Sequence, residues 1–259
     1  MGEKIFDTHT HYDDKAYAGN GREFACGLLE STVAGFIAVG CSLKRIPPSL
    51  ELAEAFPTVY ASVGVHPCYV NDLQDSYLAQ LEKYTAKPKV IAIGETGLDY
   101  HYDNFNEEVR TVQLLRFREQ LELAKRTNLP VIVHSRDSTE DTMKLLREYK
   151  PQGVMHCYGG SGETARELIK MGILISFTGV LTFKNARRAV EICRDVPLEM
   201  LMLETDCPYM APEPHRGKHC DSSMLSHVAN KIAEIKGIAV ETVIKTCNDN
   251  ARRLFNINF

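Results

Sequence analysis

Eight short runs of apolar and β-branched residues, separated by longer amphipathic segments, dominate this chain of 259 residues. The runs occupy residues 4–9, 35–40, 59–66, 90–95, 130–135, 153–158, 173–179 and 201–206. Between them, apolar residues recur with the spacing of an amphipathic helix, most clearly over residues 107–127 and 163–172. Strands that alternate with helices indicate parallel βα units. Eight such units predict an α/β fold, a TIM-type (β/α)8 barrel, to which residues 226–257 add two or three closing helices.

An open, doubly wound sheet is the other arrangement that such units can form. Sheets of that kind that bind dinucleotides carry G-x-G-x-x-G after the first strand, and this sequence has no such motif there. No internal repeat, low-complexity segment or linker interrupts the alternation of strands and helices. Because α/β barrels of about 250 residues are routinely single domains, we expect residues 1–259 to form one barrel domain.

Charge and cysteine content narrow the classes of function. Thirty basic and 34 acidic residues give a formal net charge of −4, which argues against a protein that coats nucleic acid through bulk charge. No apolar run reaches the length of about 18 residues that a membrane span needs, so no membrane association is expected. The eight cysteines are scattered without a C-x-x-C pair, and the first residues lack an apolar signal-peptide core. These features indicate a cytoplasmic protein, and no obligate protein partner is evident.

The stretch FDTHTH places His9 and His11 two residues apart at the end of the first predicted strand. Side chains at i and i+2 of a strand leave the same face, so both imidazoles point in one direction. Other predicted strands end in similar groups, namely Glu95, His134, His156, Glu204 and Asp206. Each of these residues alone is more often a polar strand end or a helix cap than a ligand. All of them, however, fall at the carboxyl ends of predicted strands, and this is the end of a βα barrel that carries the active site. Their occurrence together at this end predicts a metal centre.

The candidate ligands are four imidazoles and two of these carboxylates, Glu95 and Asp206, without a thiolate, and such a set suits Zn²⁺, Mn²⁺ or Mg²⁺. Six ligands are more than one tetrahedral ion requires. They suit two divalent ions about 3.5–4 Å apart that share a bridging carboxylate and a bridging water. Such a pair makes a water nucleophile available near neutral pH, so hydrolysis is the expected class of reaction.

Seven motifs, in order, make the sequence resemble the TatD family of metal-dependent deoxyribonucleases. They are DTHTH, GVHP (64–67), IGETGLDY (93–100), VIVHSRD (131–137), MHCYGGS (155–161), SFTGVLTFK (176–184) and LETDCPYMAPEPHRGK (203–218). The resemblance runs from residue 5 to NARRLF (250–255) and covers essentially the whole chain. It implies a TIM barrel that hydrolyses DNA phosphodiester bonds with divalent metal, often as a 3′–5′ exonuclease. Some relatives instead remove D-amino acids from tRNA.

The resemblance also implies roles for the candidate ligands. His9, His11 and Asp206 correspond to ligands of a first ion, Glu95 to the bridging carboxylate, and His134 and His156 to ligands of a second ion. Asp206 is expected to accept a proton from the attacking water. Glu204 either orients water or substrate, which would make it catalytic like Glu95 and Asp206, or supports a ligand from behind.

Candidate substrate contacts are less specific. His66 in GVHP resembles a family position close to the substrate phosphate, although it could simply close the third strand. Arg136 could clamp a phosphate or pair with Asp137. His101 either touches a nucleotide or is a solvated loop residue, and Arg216 is a phosphate contact or a plain surface charge. The substrate is expected to be DNA, as single strands or accessible strand ends.

One segment departs from the family pattern. Where the family commonly has Asn and Pro after HRGK, this chain has HCDSSM (219–224). The predicted ligands precede this loop, so the hydrolytic centre is expected to survive, and any change should fall on substrate preference, binding strength or processivity. Asp99, in GLDY, is expected to brace its loop.

Two other functions compete with a two-metal deoxyribonuclease. A metal-dependent amidohydrolase, lactonase or deacylase, for example one acting on D-aminoacyl-tRNA, would use a similar set of ligands. Such sites often bridge their ions with a carboxylated lysine on the fourth strand, where this chain has Glu95 and no lysine. A non-catalytic metal-binding module would be expected to have lost ligands, whereas all six are present.

Overall fold

The computed structural model describes residues 3–17, 19–71, 73–101 and 105–259, and they form a (β/α)8 barrel. The strands are β1 (Ile5–Thr10), β2 (Val33–Gly40), β3 (Val59–Val63), β4 (Val90–Asp99), β5 (Val131–Arg136), β6 (Gly153–Met155), β7 (Leu174–Phe177) and β8 (Leu201–Leu203). The α-helices are α1 (Gly21–Ser31), α2 (Ile46–Ala55), α3 (Tyr77–Thr85), α4 (Glu107–Thr127), α5 (Thr139–Tyr149), α6 (Gly162–Lys170), α7 (Arg187–Asp195), α8 (Leu225–Lys236) and α9 (Val240–Phe255). The predicted fold class is therefore confirmed, and α8 and α9 are the closing helices.

All neighbouring strands pair in parallel in the order β1 to β8. The barrel closes between β1 and the segment after β8. There the backbone N–H of His11 donates to the Cys207 carbonyl at 2.9 Å, and the N–H of Asp206 donates to the His9 carbonyl at 3.0 Å. Two predicted ligand segments, one from each end of the strand order, are thus held side by side by main-chain hydrogen bonds.

Two apolar layers hold the barrel together. Nearly every strand contributes a side chain to an interior cluster, which consists of Phe6, Ile37, Val39, Ile91, Ala92, Ile132, Val154, Leu174 and Met202, together with Ala251, Phe255 and Ile257. The last three belong to α9 or follow it, so this helix closes the end of the barrel at which the strands begin. A larger cluster fills the space between the strands and the surrounding helices. The opposite end of the barrel is left for polar groups.

Local signals set the ends of the elements. Helix α4 begins after Asn106, whose side chain accepts a hydrogen bond from the Val109 N–H at 3.0 Å, and ends at Asn128 in a left-handed conformation. Strands β6 and β8 end earlier than predicted, at Met155 and Leu203, whereas β4 continues to Asp99. Cys157 and Asp206 have positive φ angles of 44° and 59°, which are incompatible with extended strand geometry. None of the described helices is long and apolar enough to span a membrane.

Candidate metal centre

The six predicted ligands converge at the end of the barrel where the strands finish. His9 lies in β1, Glu95 in β4 and His134 in β5, while His11, His156 and Asp206 follow β1, β6 and β8. All are buried except His134, which is partly exposed. Since parallel strands end at one face of a barrel, residues far apart in sequence form one polar centre there.

One group of donor atoms surrounds Oε2 of Glu95. The Nε2 atoms of His9 and His11 are 3.2 Å apart. They lie 3.5 and 3.8 Å from Oε2 of Glu95, and 3.8 and 3.5 Å from Oδ1 of Asp206. The side chains that the resemblance assigns to a first ion therefore do meet, and a carboxylate oxygen of Glu95 faces them.

A second group surrounds the other oxygen of the same carboxylate. Oε1 of Glu95 lies 2.9 Å from Nδ1 of His134, 3.7 Å from Nε2 of His156 and 3.7 Å from Nε2 of His66. Glu95 is 4 % exposed and is the common member of both groups. Its two oxygens are divided between two sets of imidazoles, which is the arrangement that a bridging carboxylate requires.

His66 joins the second group in space, but its hydrogen bonding distinguishes it from a ligand. Its Nδ1 accepts a hydrogen bond from the Cys68 N–H at 3.1 Å, so the proton of the neutral ring sits on Nε2. Burial, which outweighs the neighbouring carboxylates, lowers the pKa of His66 to about 3. The ring therefore presents an N–H donor to the centre, which suits an anionic oxygen better than a cation.

Three of the four predicted histidine ligands have a partner behind the ring. Nε2 of His134 lies 3.2 Å from Oδ2 of Asp99, and Nδ1 of His11 lies 3.2 Å from the Val39 carbonyl. Nδ1 of His156 lies 2.9 Å from Oε1 of Glu204, without ideal hydrogen-bond alignment. Such partners orient a ring and leave the lone pair of the other nitrogen directed inward.

Glu204 is turned away from open space. It is 1 % exposed, and its Oε1 also accepts a hydrogen bond from the Cys157 N–H at 2.7 Å. Both contacts lie on the side of His156 that faces away from Glu95 and Asp206, where the ions are expected. This placement favours the supporting role over an orienting contact with water or substrate.

Asp99 is the residue whose importance the sequence understates. The sequence predicts that it braces a loop, and it accepts a hydrogen bond from the His101 N–H at 2.9 Å. It also lies at the end of β4 and contacts His134. Asp99 and Glu95 are four residues apart on one strand, and the two-residue period places both carboxylates on the same face.

The electrostatic balance of the centre favours ionised carboxylates. Burial alone would raise the pKa of Glu95, but the imidazoles of His66, His134 and His9 hold it well below its ordinary value. Burial likewise opposes ionisation of Asp206, and contacts with His11 and His156 lower its pKa. Two buried negative charges thus face each other across a set of imidazoles.

The donor set fits divalent cations. In its neutral form His11 donates its Nδ1–H to the Val39 carbonyl, which leaves the lone pair on Nε2, and this atom faces Nε2 of His9 at 3.2 Å. Nδ1 of His9 is buried without a hydrogen-bond partner among the described residues. Converging nitrogen and oxygen lone pairs beside ionised carboxylates repel one another unless a proton or a cation lies between them.

The predicted substrate contacts lie in different places. Arg136 is exposed at the end of β5 and lines the cavity of about 610 Å³ that opens onto His134, His156 and Asp206. Asp137, the alternative partner of Arg136, instead lies 2.7 Å from Nδ1 of His101, and both of these side chains are exposed. The guanidinium of Arg216 lies over the ring of Phe183 at 4.2 Å.

The loop of residues 219–224 faces inward as well as outward. Ser222 is 2 % exposed, and its hydroxyl donates to Oδ2 of Asp7 at 2.7 Å. The same carboxylate accepts hydrogen bonds from the Thr205 hydroxyl at 2.6 Å and from the N–H groups of Thr205 and His9. Ser222 of this segment and Thr205 after β8 therefore both bond to one carboxylate of β1, so the segment also supports the barrel, whereas the sequence predicts an effect on substrate preference, binding strength or processivity.

The chain is similar to known proteins over nearly its whole length. The family model described as TatD related DNase matches residues 6–256. The chain is 39% identical over 257 residues to the uncharacterized metal-dependent hydrolase YabD of Bacillus subtilis (strain 168), covering 98% of this chain and 100% of that protein. It is 29% identical over 265 residues to the 3′–5′ ssDNA/RNA exonuclease TatD of Escherichia fergusonii, covering 98% and 100%. The crystal structure of YJJV, a TatD homolog from Escherichia coli K12, superposes with a TM-score of 0.90 at 28% identity and 98% coverage of both chains.

Proposed function

This chain belongs to the TatD related DNase family and is a metal-dependent hydrolase, and from that premise we propose that it removes nucleotides from the 3′ end of single-stranded DNA. The observation that carries the proposal is the division of the Glu95 oxygens between two donor groups. A relative named as a 3′–5′ ssDNA/RNA exonuclease supports this polarity and this class of substrate.

We assign two divalent ions to the centre, as Mg²⁺, Mn²⁺ or Zn²⁺. His9, His11 and Asp206 would hold one ion, His134 and His156 the other, and Glu95 would bridge them. When bound, the ions supply a water nucleophile near neutral pH and neutralise charge on the attacked phosphate.

The protein side chains supply positioning and proton transfer. Asp206 lies at the edge of the cavity and is ionised, so it can accept the proton of the attacking water. His66 offers its Nε2–H to a phosphate oxygen, and Arg136 offers a planar pair of donors from the cavity wall. No covalent intermediate with the protein is needed.

A strand end is the form of DNA that suits this protein. The net charge of −4 gives no bulk attraction to a long duplex, and the centre lies inside a cavity rather than on an open surface.

We also propose that residues 1–259 act as one domain in the cytoplasm, without an obligate protein partner. The scattered cysteines support a reducing compartment.

The proposal is tested with a single-stranded oligonucleotide labelled on its 3′-terminal nucleotide. Labelled mononucleotide should be the first product with Mg²⁺, Mn²⁺ or Zn²⁺, and chelator should abolish it. Glu95→Ala should lose the activity by at least about 10²-fold, whereas the control Glu51→Ala, an exposed carboxylate on α2, should behave as wild type. Failure of the folded, metal-loaded protein to release nucleotide with any of the three ions would overturn the proposal, and D-aminoacyl-tRNA would be the next substrate.

A further inference from the structure

A second cavity opens beside the metal centre. The first cavity, of about 610 Å³, contains His156 and Asp206, and the second, of about 460 Å³, lies between the segment after β6 and the start of α7. Both are lined by Cys157, Tyr158, Gly159 and Arg188. The two cavities are therefore compartments of one cleft, with Arg188 at their junction.

The second compartment differs from the first in its chemistry. Much of its wall is apolar, formed by Phe177, Val180, Leu181, Ala186, Ala189 and Ile192. Its charged groups are Arg187 and Arg188, and no carboxylate lines it among the described residues. The first compartment carries Asp137 and Asp206 as well as Arg136. An apolar pocket with a cationic entrance suits a ligand that is flat and apolar at one end and anionic at the other.

Arg188 is available for a ligand. It is exposed on the first turn of α7, and within the described part of the chain its guanidinium forms no ion pair and no hydrogen bond. The N-cap residue, Ala186, gives no side-chain cap, so the positive end of the helix adds to the charge of the arginine. In contrast, Arg147 at the surface is paired with Glu167.

We infer that the second compartment is a nucleotide subsite, in which Arg188 binds the phosphate next to the scissile one and the apolar pocket receives a base. The inference rests on the proposed function and adds the position of the neighbouring nucleotide. A nucleotide chain repeats an anionic phosphate and a flat base, and single-strand binding sites combine cationic and apolar surfaces in this way. Asn185, exposed at the pocket, places an amide where it can bond to a base edge.

The test compares the kinetics on three substrates, each of which carries more of a nucleotide chain beyond the scissile phosphate than the one before. Bis(4-nitrophenyl) phosphate has one phosphate and no nucleoside, TpT has one phosphate, and TpTpT has two. Arg188→Ala should lower kcat/KM on TpTpT by about tenfold, because a charge-assisted contact is lost, and should leave the other two substrates within about twofold. Arg194→Ala, on the last turn of the same helix, is the matched control.

Salt dependence gives a second measurement for the phosphate contact. Loss of one contact to a single strand should reduce the slope of log KM against log salt concentration by about 0.7.

The base pocket is tested with Ala189→Trp, whose indole should fill the pocket and raise KM for both TpT and TpTpT. Unchanged hydrolysis of the nitrophenyl ester by this variant would show that the centre is intact.

The outcomes separate the two proposals. If the wild type cleaves the nitrophenyl ester but neither oligonucleotide, the proposed function fails and the subsite falls with it. If the wild type cleaves all three and Arg188→Ala cleaves TpTpT equally well, only the subsite is overturned. Equal losses on all three substrates would also overturn it, since Arg188 would then act on the centre itself. An unchanged KM for TpT in Ala189→Trp would overturn the base pocket.

Discussion

Each imidazole at the barrel mouth has two nitrogens, and their surroundings give the two nitrogens different tasks. Asp99 and Glu204 lie behind His134 and His156, and the Val39 carbonyl lies behind His11. These three rings can direct a lone pair into the centre, whereas His66 directs an N–H group there. The backbone N–H of Cys68 donates to Nδ1 of His66, which leaves the proton of the ring on Nε2. At the residue scale, the nitrogen that carries the proton therefore decides whether a ring can offer a lone pair or an N–H group to the centre.

The first prediction concerns His66. His66→Ala should lower kcat/KM on single-stranded DNA by about 10- to 100-fold, because a donor to the phosphate is lost, while metal affinity stays close to wild type. His66→Gln, which retains an N–H donor, should recover part of the activity. Metal titration followed by thermal melting checks the first point and steady-state kinetics the second. A His66→Ala protein that no longer binds the second ion would show instead that His66 is a ligand.

The second prediction concerns Asp7, which is fully buried in β1 two residues before His9. Burial raises its pKa to about 7 despite hydrogen bonds from Thr205, Ser222 and His9, whereas its ordinary value is 3.8. The folded state thus holds a proton more tightly than the unfolded state, so this group's contribution to stability is present below pH 4 and is lost as the pH rises to 7. The loss is at most about 4 kcal/mol.

Asp7→Asn should remove this part of the pH dependence. Denaturant unfolding of both proteins in chelator between pH 4 and 8 measures it as the difference between the two stability curves. Asp75→Asn, at an exposed position, serves as the control and should follow the wild type. A constant difference between wild type and Asp7→Asn across this range would contradict the prediction.

At the scale of elements, β4 is the longest strand and continues beyond Glu95 to pair Asp99 with Arg136 of β5. This extension brings Asp99 beside His134. The extension of β4 depends on Gly97, which has a φ of 146° and whose α-carbon lies close to the backbone of β5. A β-carbon there would lie 1.9 Å from the His134 carbonyl oxygen. The close approach of the two strands fixes the distance between Glu95 and His134.

Gly97→Ala should therefore force β4 and β5 apart. We expect a loss of about 2–3 kcal/mol in the free energy of unfolding and weaker metal binding, because the backbone angle and the contact are both unfavourable. Gly27→Ala on α1 is the matched control. Nothing lies within 4 Å of a β-carbon there, and alanine in a helix should be stabilising by about 0.5–1 kcal/mol. Equal stabilities of the two variants would argue against the close-approach explanation.

At the scale of the whole molecule, the barrel has an apolar end closed by α9 and a polar end that carries the candidate metal centre. Asn248 of α9 accepts a hydrogen bond from the Phe6 N–H at 3.0 Å, and the rings of Phe6 and Phe259 stack at 4.1 Å. At the other end, the seam between β1 and β8 carries His9, His11 and Asp206. Ions bound across this seam would hold the barrel closed.

Metal binding should therefore stabilise the whole fold. At an ion concentration about 100-fold above its Kd, one site adds about 2.7 kcal/mol, which corresponds to a rise in Tm of about 5–10 °C for a chain of this size. Scanning calorimetry with Mn²⁺ and with chelator measures the rise, and Glu95→Ala should lose most of it. Identical Tm values for the wild type in both conditions would show that the centre does not bind metal tightly.

The sequence alone determined the barrel and the convergence of its candidate ligands. Strand and helix periodicities are local properties of the backbone, and eight alternating units leave few parallel arrangements. Once the strands are parallel, His9, Glu95, His134 and their counterparts must end on one face, whatever the packing. Strand limits were less well predicted, because the chain leaves extended geometry soon after β6 and β8, where Cys157 and Asp206 have positive φ.

Only the tertiary structure decided how the side chains act within that face. The contacts of Asp99 with His134, of Glu204 with His156 and of Ser222 with Asp7 join segments distant in sequence. The cavity beside Arg188 likewise forms between the segment after β6 and α7. Such contacts depend on rotamers and on the packing of several strands at once, which no local periodicity encodes.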